Sequence, residues 1–155
     1  MISLFRVDCR LIHYQTASMW PKKVDANMIL VASDTIFDDA MRMGMFKVMV
    51  PSSIKLQVLK IDDAVTYLLS EEAVKPKIEL VVESIEDAKR ILDAVSTITK
   101  LQVAIVQRPN GKQISKYLIV NDEDIDILKL LCSSGKEIEC CCLTTDKSVS
   151  ISKLI

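Results

Sequence analysis

Short apolar runs of strand length alternate about six times with longer stretches of helical periodicity along this chain. One run, MILVA at 28–32, is apolar on both of its faces and therefore needs cover on both sides. The pattern predicts an α/β fold: an open, mostly parallel twisted sheet of six or seven strands with helices on both faces. No repeat or low-complexity linker interrupts the alternation, so we expect one domain over residues 1–155.

The individual elements follow from periodicity and capping residues. Predicted strands cover 2–7, 27–32, 54–60, 77–82, 101–106 and 136–143, with a more polar extended segment at 114–120. Predicted helices cover 14–20, 38–50, 64–72, 84–95 and 122–134. We expect the first helix to stop near Pro21, and Asp62 or Asp63 to cap the third. Ser84 and Asp87 have capping-box spacing at the start of the fourth.

Charge and hydropathy limit the classes of function. Twenty basic and twenty-one acidic residues give a net charge of −1, which leaves no electrostatic footprint for nucleic acid. The first ten residues carry charges where a secretory segment would need its apolar stretch, and the apolar runs are too short to cross a bilayer. We therefore expect a cytoplasmic protein.

The five cysteines do not form a metal-binding pattern. Cys140, Cys141 and Cys142 are consecutive, and neighbouring residues on a strand point to opposite faces. There is no C-x-x-C pair. We interpret the cysteines as small buried hydrophobic residues in a reducing compartment, and we expect no metal site.

His13 is the only histidine, and it lies in the segment DCRLIHYQ directly after the first predicted strand. In open α/β sheets, ligands bind beyond the carboxyl ends of the strands. The fold class therefore places His13 at the edge of the sheet where a ligand would sit.

The residues around His13 suit phosphoryl chemistry. A neutral imidazole nitrogen is a competent nucleophile near pH 7 and can carry a phosphoryl group. Arg10 could bind phosphate oxygens with its planar guanidinium, and a helix beginning near Tyr14 would offer backbone N–H groups. Asp8 would repel a phosphate, so it should instead pin Arg10 or Arg6, or orient the imidazole.

Spacing alone leaves a structural role for His13 open, because a solitary histidine often serves only the fold. Other chemistries lack their components. There is no Ser-His-Asp set, and Gly44, Gly111 and Gly135 are too scattered to form a Walker or dinucleotide-binding loop.

The segment FRVDCRLIHYQ resembles the active-site segment of the IIB components of the mannose/fructose/sorbose family of the bacterial sugar phosphotransferase system, which reads R-I-D-D-R-L-I-H-G-Q. Later segments also resemble this family, with Asp34, Asp39 and Arg42 in register, and Trp20 falls where the family has tryptophan.

The resemblance implies a phosphotransferase. A IIA protein or domain would pass phosphate from its phosphohistidine to His13, and His13 would pass it to a sugar presented by a membrane IIC/IID permease. The protein would then be a cytoplasmic phosphoprotein associated with the membrane only through the permease, and it would need no cofactor. Residues implied to bind or orient the phosphate are Arg10, Asp8, Arg6 and Gln15, with Tyr14, Asp34 and Asp39 as further candidates.

The sequence departs from the family motif around the implied site. Cys9 replaces the second aspartate, Tyr14 replaces the glycine after the histidine, and Ala104 and Ile105 stand where the family often has two glycines. These changes predict weakened transfer. The alternative is a catalytically impaired IIB-like module with a regulatory or partner-binding role.

Overall fold

A computed structural model describes residues 1–155, and its centre is a nine-stranded sheet. The strands are β1 (Ile2–Asp8), β2 (Met28–Ala32), β3 (Lys55–Leu59), β4 (Ile78–Val82), β5 (Lys100–Gln107), β6 (Lys112–Gln113), β7 (Leu118–Val120), β8 (Glu137–Cys140) and β9 (Val149–Ser150). The α-helices are α1 (Trp20–Lys23), α2 (Ala40–Met49), α3 (Ile61–Leu69), α4 (Ile85–Ala94) and α5 (Asp122–Ser133).

Seven of the strands run parallel, in the order β3-β2-β4-β1-β5, with β8 beside the first half of β5 and β7 beside its end. The two-residue strands β6 and β9 are antiparallel to β7 and β8. The predicted open, mostly parallel sheet is confirmed.

Two separate apolar cores cover the faces of the sheet. On the first face, side chains of α3, α4 and α5 pack on alternate strand residues such as Leu30 and Leu80. On the second face, α2 and the segment after β1 pack on the intervening residues, among them Ile29 and Val31. β2 is buried along its whole length because each of its faces meets one of these cores.

The chain leaves β1 and β5 toward opposite faces. Residues after β1 pack in the second-face core, whereas β5 continues to α5 on the first face. β1 and β5 are hydrogen-bonded neighbours, so a crevice opens between their carboxyl ends. His13 follows β1 at this crevice.

Some helix boundaries differ from the expected ones. α3 begins at Ile61 with Lys60 at its N-cap, so the predicted cap at Asp62 or Asp63 is wrong; both carboxylates lie in the first turn, where the helix dipole favours them. The predicted helix over 14–20 is a π-helical turn (Gln15–Met19) that continues through Pro21 into α1. Pro21 is the second residue of α1 and has no N–H to donate to the preceding helical turn. Ser84 caps α4 as predicted, since its side chain accepts the N–H of Asp87.

The cysteine run is split between two structures. β8 ends at Cys140, so the predicted strand over 136–143 is too long, and Cys141 and Cys142 lie buried in the segment that follows. All five cysteines are free thiols. Of the extended segment at 114–120, only residues 118–120 form a strand.

Candidate functional site

The turn after β1 fixes the start of the site. Asp8 is the last residue of β1, and its carbonyl accepts the N–H of Leu11 at 2.9 Å. Leu11 has a φ of 56°, a left-handed conformation that is costly for a branched side chain. Its side chain is nevertheless fully buried in the second-face core, so packing holds the turn in place.

Thr16 holds the backbone of His13. Its hydroxyl accepts the N–H of His13 at 3.0 Å and lies 2.7 Å from the carbonyl of Leu11, to which it donates. The carbonyl of His13 accepts the N–H of Ala17 at 2.7 Å at the beginning of the π-helical turn. Such turns recur at functional sites because they re-aim side chains.

The two ring nitrogens of His13 have different partners. Nε2 lies 2.9 Å from Oδ2 of Asp8, and Nδ1 accepts the backbone N–H of Gln15 at 3.3 Å. An ionised carboxylate can only accept, so the proton is on Nε2 and Nδ1 keeps its lone pair. The side chain is 18% exposed, so the ring sits at the rim of the crevice.

Asp8 is a fully buried carboxylate shared by three cationic or hydrogen-bonding side chains. Arg6 donates to Oδ2 at 3.1 Å, and Arg10 donates to both oxygens at 3.1 and 3.2 Å. Burial alone would raise the pKa of Asp8, but hydrogen bonds from His13 and Arg10 and the charge of Arg6 outweigh it and hold this pKa well below its usual range. Asp8 is therefore charged at neutral pH.

The two arginines occupy different environments. Arg6 is fully buried, bonds the side chain of Gln102, donates to the carbonyl of Cys142 at 2.9 Å, and stacks 5.2 Å from the ring centroid of Trp20. Arg10 is 45% exposed, and its Nη1 has no hydrogen-bond partner. Only Arg10 can reach a ligand at the rim.

The other candidate residues divide between the rim and remoter parts of the fold. Tyr14 is exposed beside His13, and Gln15 contributes its backbone N–H. The structure does not bring Asp34 or Asp39 to His13 through any hydrogen bond. Asp34 accepts from the N–H of Ile61 and from Arg90, while Asp39 caps α2.

Three of the residues that depart from the family motif, Cys9, Ala104 and Ile105, pack in one small cluster. Ala104, Ile105 and Cys142 are buried together, with Cys9 and Tyr117 packed against them. Burial, with the charge of Asp8 added to it, raises the pKa of the Cys9 thiol. Cys9 is thus a thiol rather than a thiolate at neutral pH, which disfavours it as a nucleophile.

Sequence reasoning missed three partners of the site: Thr16, Gln102 and the carbonyl of Cys142. Side-chain parity could have placed Arg6 and Asp8 on one face of β1, because residues two apart on a strand point the same way. Gln102 and the carbonyl of Cys142 come from distant parts of the chain, and no local signal identifies them.

Three further findings concern the whole chain. No helix is long and apolar enough to span a membrane. No group of three or more His, Cys, Asp or Glu side chains is arranged to hold a metal ion. A cleft of about 880 Å³ lies at the amino ends of the strands among residues such as Ile2, Trp20 and Glu139, away from His13. We place the site at His13 because the polar groups converge there.

The sequence and fold match known proteins along nearly the whole chain. The family model described as PTS system sorbose subfamily IIB component matches residues 2–155. A probable phosphotransferase enzyme IIB component of Streptococcus pyogenes serotype M6 is 30% identical over 139 residues, which covers 86% of this chain and 85% of that protein.

Two further relatives extend this result. The mannose-specific EIIAB component of Escherichia coli K12 is 26% identical over 156 residues, and this chain spans 48% of its length. The crystal structure of the IIBSor domain of the sorbose permease from Klebsiella pneumoniae superposes with a TM-score of 0.92 at 25% identity, covering 99% of this chain and 94% of that one.

Proposed function

This chain belongs to the sorbose subfamily of IIB components of the phosphotransferase system, and we propose that His13 is the residue through which it transfers phosphate. IIB components accept a phosphoryl group from a IIA partner and pass it to a sugar. The observation that carries the assignment to His13 is the hydrogen bond of its Nε2 to a buried, ionised Asp8, which leaves the unprotonated Nδ1, held only by a 3.3 Å hydrogen bond from the N–H of Gln15, as the nucleophile.

The acceptor step follows from this arrangement. Nδ1 attacks the phosphorus of the phosphohistidine on IIA, so that one P–N bond forms as the other breaks. Nε2 keeps its proton, and the phosphorylated ring of His13 therefore carries a positive charge. The carboxylate of Asp8, 2.9 Å from Nε2, stabilises that charge.

The donor step reverses the bond changes. A sugar hydroxyl attacks phosphorus, the P–N bond breaks, and its electron pair returns to Nδ1 of His13. The hydroxyl proton is released to the medium, and the ring is again neutral with its proton on Nε2. A positively charged ring is the better leaving group, so Asp8 and its hydrogen bond serve both steps.

Arg10 and Gln15 stabilise the transferred group. Arg10 uses two nitrogens on Asp8 and has Nη1 free for a phosphoryl oxygen, while Gln15 offers its backbone N–H beside Nδ1. Arg6 has no exposed surface and acts by holding Asp8. Asp34 and Asp39 serve the fold through Arg90 and α2, and we assign them no part in transfer.

The setting of the reaction follows from the proposal. We place residues 1–155 as a single IIB domain in the cytoplasm, where a IIA protein or domain and a membrane IIC/IID permease with its sugar are the partners. The EIIAB relative, in which IIA and IIB share one chain, supports the IIA partner. Association with the membrane would run through the permease alone.

The departures from the family motif bear on the rate of phosphate transfer rather than on its chemistry. No side chain of Cys9, Tyr14, Ala104 or Ile105 hydrogen-bonds to His13 or Asp8, so the transfer chemistry is complete without them. Cys9, Ala104 and Ile105 pack in one cluster, whereas Tyr14 is exposed beside His13, and we propose that the bulk of Tyr14 slows the approach of IIA. Tyr14→Gly should then accept phosphate faster than the unmodified protein. An unchanged or lower rate would contradict this proposal.

The assignment is tested by incubating the protein with phosphoenolpyruvate, the general phosphotransferase proteins and a cognate IIA. We expect one acid-labile phosphate per chain, and none in His13→Ala. Because His13 is the only histidine, any phosphohistidine found in the chain must be at position 13. A folded protein that takes no phosphate from its cognate IIA would favour the regulatory or partner-binding module instead.

A further inference from the structure

Glu79 is a buried acid with no visible partner. It lies in the middle of β4, its side chain has no exposed surface, and neither carboxyl oxygen has a hydrogen-bond partner. An ionised carboxylate in that environment is costly, and acids of this kind are rare in cores unless they are paired.

Arg6 is the nearest cation to this acid. Glu79 pairs in register with Leu4 of β1, and Arg6 is two residues further along that strand on the same face. Nε of Arg6 is itself buried without a partner. Two unpartnered groups that could attract each other are thus diagonal neighbours on the second face of the sheet.

The other neighbours of Glu79 leave Arg6 and Asp8 as the charges that bear on it. On its β2 side, Glu79 pairs with the apolar Ile29. The segment 15–20, which covers this part of the sheet, contains no charged residue. Any change in the charge of Glu79 is therefore felt first by Arg6.

Arg6 connects this acid to the site. Its Nη2 donates to Oδ2 of Asp8 at 3.1 Å, and the same oxygen lies 2.9 Å from Nε2 of His13. A shift of the Arg6 guanidinium would move the carboxylate that fixes the tautomer of His13.

We propose that Glu79 is a positioning residue for His13. While Glu79 is protonated, Asp8 is the only carboxylate that pairs with Arg6. This inference rests on the proposed role of His13. When Glu79 loses its proton to the solvent, its carboxylate competes with Asp8 for Arg6, and Nε is the nitrogen that can turn to it. The hold of Asp8 on Nε2 of His13 then weakens.

Burial keeps the proton in place at moderate pH. It raises the pKa of Glu79 well above its usual value, and the charge of Asp8 adds to this rise, while Arg6 opposes it. The protonated form of Glu79 therefore persists to higher pH than it would in an exposed glutamate.

Nitrogen NMR of His13 tests the proposal without any partner protein. In the unmodified protein, the tautomer of His13 should lose its Nε2–H character as the pH rises through the titration of Glu79, which carbon NMR of the Glu79 carboxyl locates. In Glu79→Gln, which keeps a neutral side chain of the same shape, that change should be absent. Glu83→Gln is the matched control, since Glu83 follows the same strand but bonds Ser33 and Thr35; it should behave as the unmodified protein.

The rate of phosphate acceptance from IIA gives the second readout. Above the titration point of Glu79 we expect it to fall by up to about tenfold per pH unit, and this fall should be absent in Glu79→Gln. If Glu79→Gln does not fold, Glu79→Leu takes its place in both measurements.

Two results would overturn the inference: a tautomer change with rising pH that persists in Glu79→Gln, or a carbon NMR titration of Glu79 near its ordinary pKa of about 4.3. Failure of His13 to accept phosphate would overturn the proposed function instead, and would leave the tautomer result standing.

Discussion

Nε2 of His13 and Oδ2 of Asp8 lie 2.9 Å apart, at the end of the central strand β1. The carboxylate is fully buried, whereas the ring reaches the rim of the crevice. In the proposed mechanism this contact has two effects: it fixes which nitrogen is the nucleophile, and it places a counter-charge where the phosphorylated ring becomes positive.

Asp8→Asn should slow phosphate acceptance by about 10²- to 10⁴-fold. The amide cannot neutralise the positive ring, and its NH2 group can donate to Nε2 and reverse the tautomer. Single-turnover transfer from IIA measures the rate, with circular dichroism to establish the folded fraction. Asp39→Asn changes a helix cap away from His13 and should leave the rate unchanged. A folded Asp8→Asn protein with a normal rate would refute the role of Asp8.

Arg10→Ala should slow transfer by about 10²-fold and lower the free energy of unfolding by about 1–3 kcal/mol. The variant loses the free Nη1 beside the phosphoryl group and two hydrogen bonds to the buried carboxylate of Asp8. Arg90→Ala is the control, because Arg90 is also a half-exposed arginine that pairs with carboxylates, those of Asp34, Asp62 and Asp87. Equal rates for the two variants would show that Arg10 has no specific role.

Asp8 should also make the fold sensitive to acid. Its pKa is lowered in the folded state, so its stabilising contribution is present above the unfolded value of about 3.9 and is lost as the pH falls below it. We expect Asp8→Asn to lower the free energy of unfolding at pH 6, by roughly 3–5 kcal/mol because Arg6 loses its buried partner. Urea titrations should show this difference shrinking by about 2–3 kcal/mol toward pH 2. A difference independent of pH would contradict the assignment.

Glu79 should change the pH dependence of stability in the opposite direction to Asp8. Its pKa is raised in the folded state, so stability falls as the pH rises above the unfolded value of about 4.3. The two acids therefore act in separate pH ranges and can be distinguished in one set of titrations.

Leu11 offers a test of backbone strain in the active-site turn. Leu11→Ala should lower the free energy of unfolding by about 2–4 kcal/mol, because a buried side chain is lost. Leu11→Gly should cost no more than that, since glycine adopts the φ of 56° freely. At the fully buried Leu30 of β2, the glycine variant should be worse than the alanine variant by about 1 kcal/mol. If the glycine variant is less stable than the alanine variant at position 11 as well as at position 30, the turn is unstrained.

Much of the architecture could be predicted from the sequence because strand burial leaves a strong trace. The run at 28–32 is apolar on both faces since it lies between two cores, and the sheet position of His13 follows from its place after the first strand. The cap of α3 could not be predicted. The N–H of Ile61 is satisfied by Asp34, which is far away in the chain.

The interior of the site was less predictable than its rim. Arg6 and Arg10 are equivalent in a motif, but only the folded chain shows that Arg6 is enclosed by Gln102 and the carbonyl of Cys142. Glu79 gives no local signal at all, because its importance comes from the diagonal pairing of β4 with β1.

The most direct test of the central claim is nitrogen NMR of the phosphorylated protein. With one histidine, the spectrum contains a single imidazole, so its two nitrogens can be assigned without ambiguity. We predict a phosphorus coupling to Nδ1 and a retained proton on Nε2. Phosphate on Nε2, or a phosphorylated chain whose His13 nitrogens are both unmodified, would contradict the account.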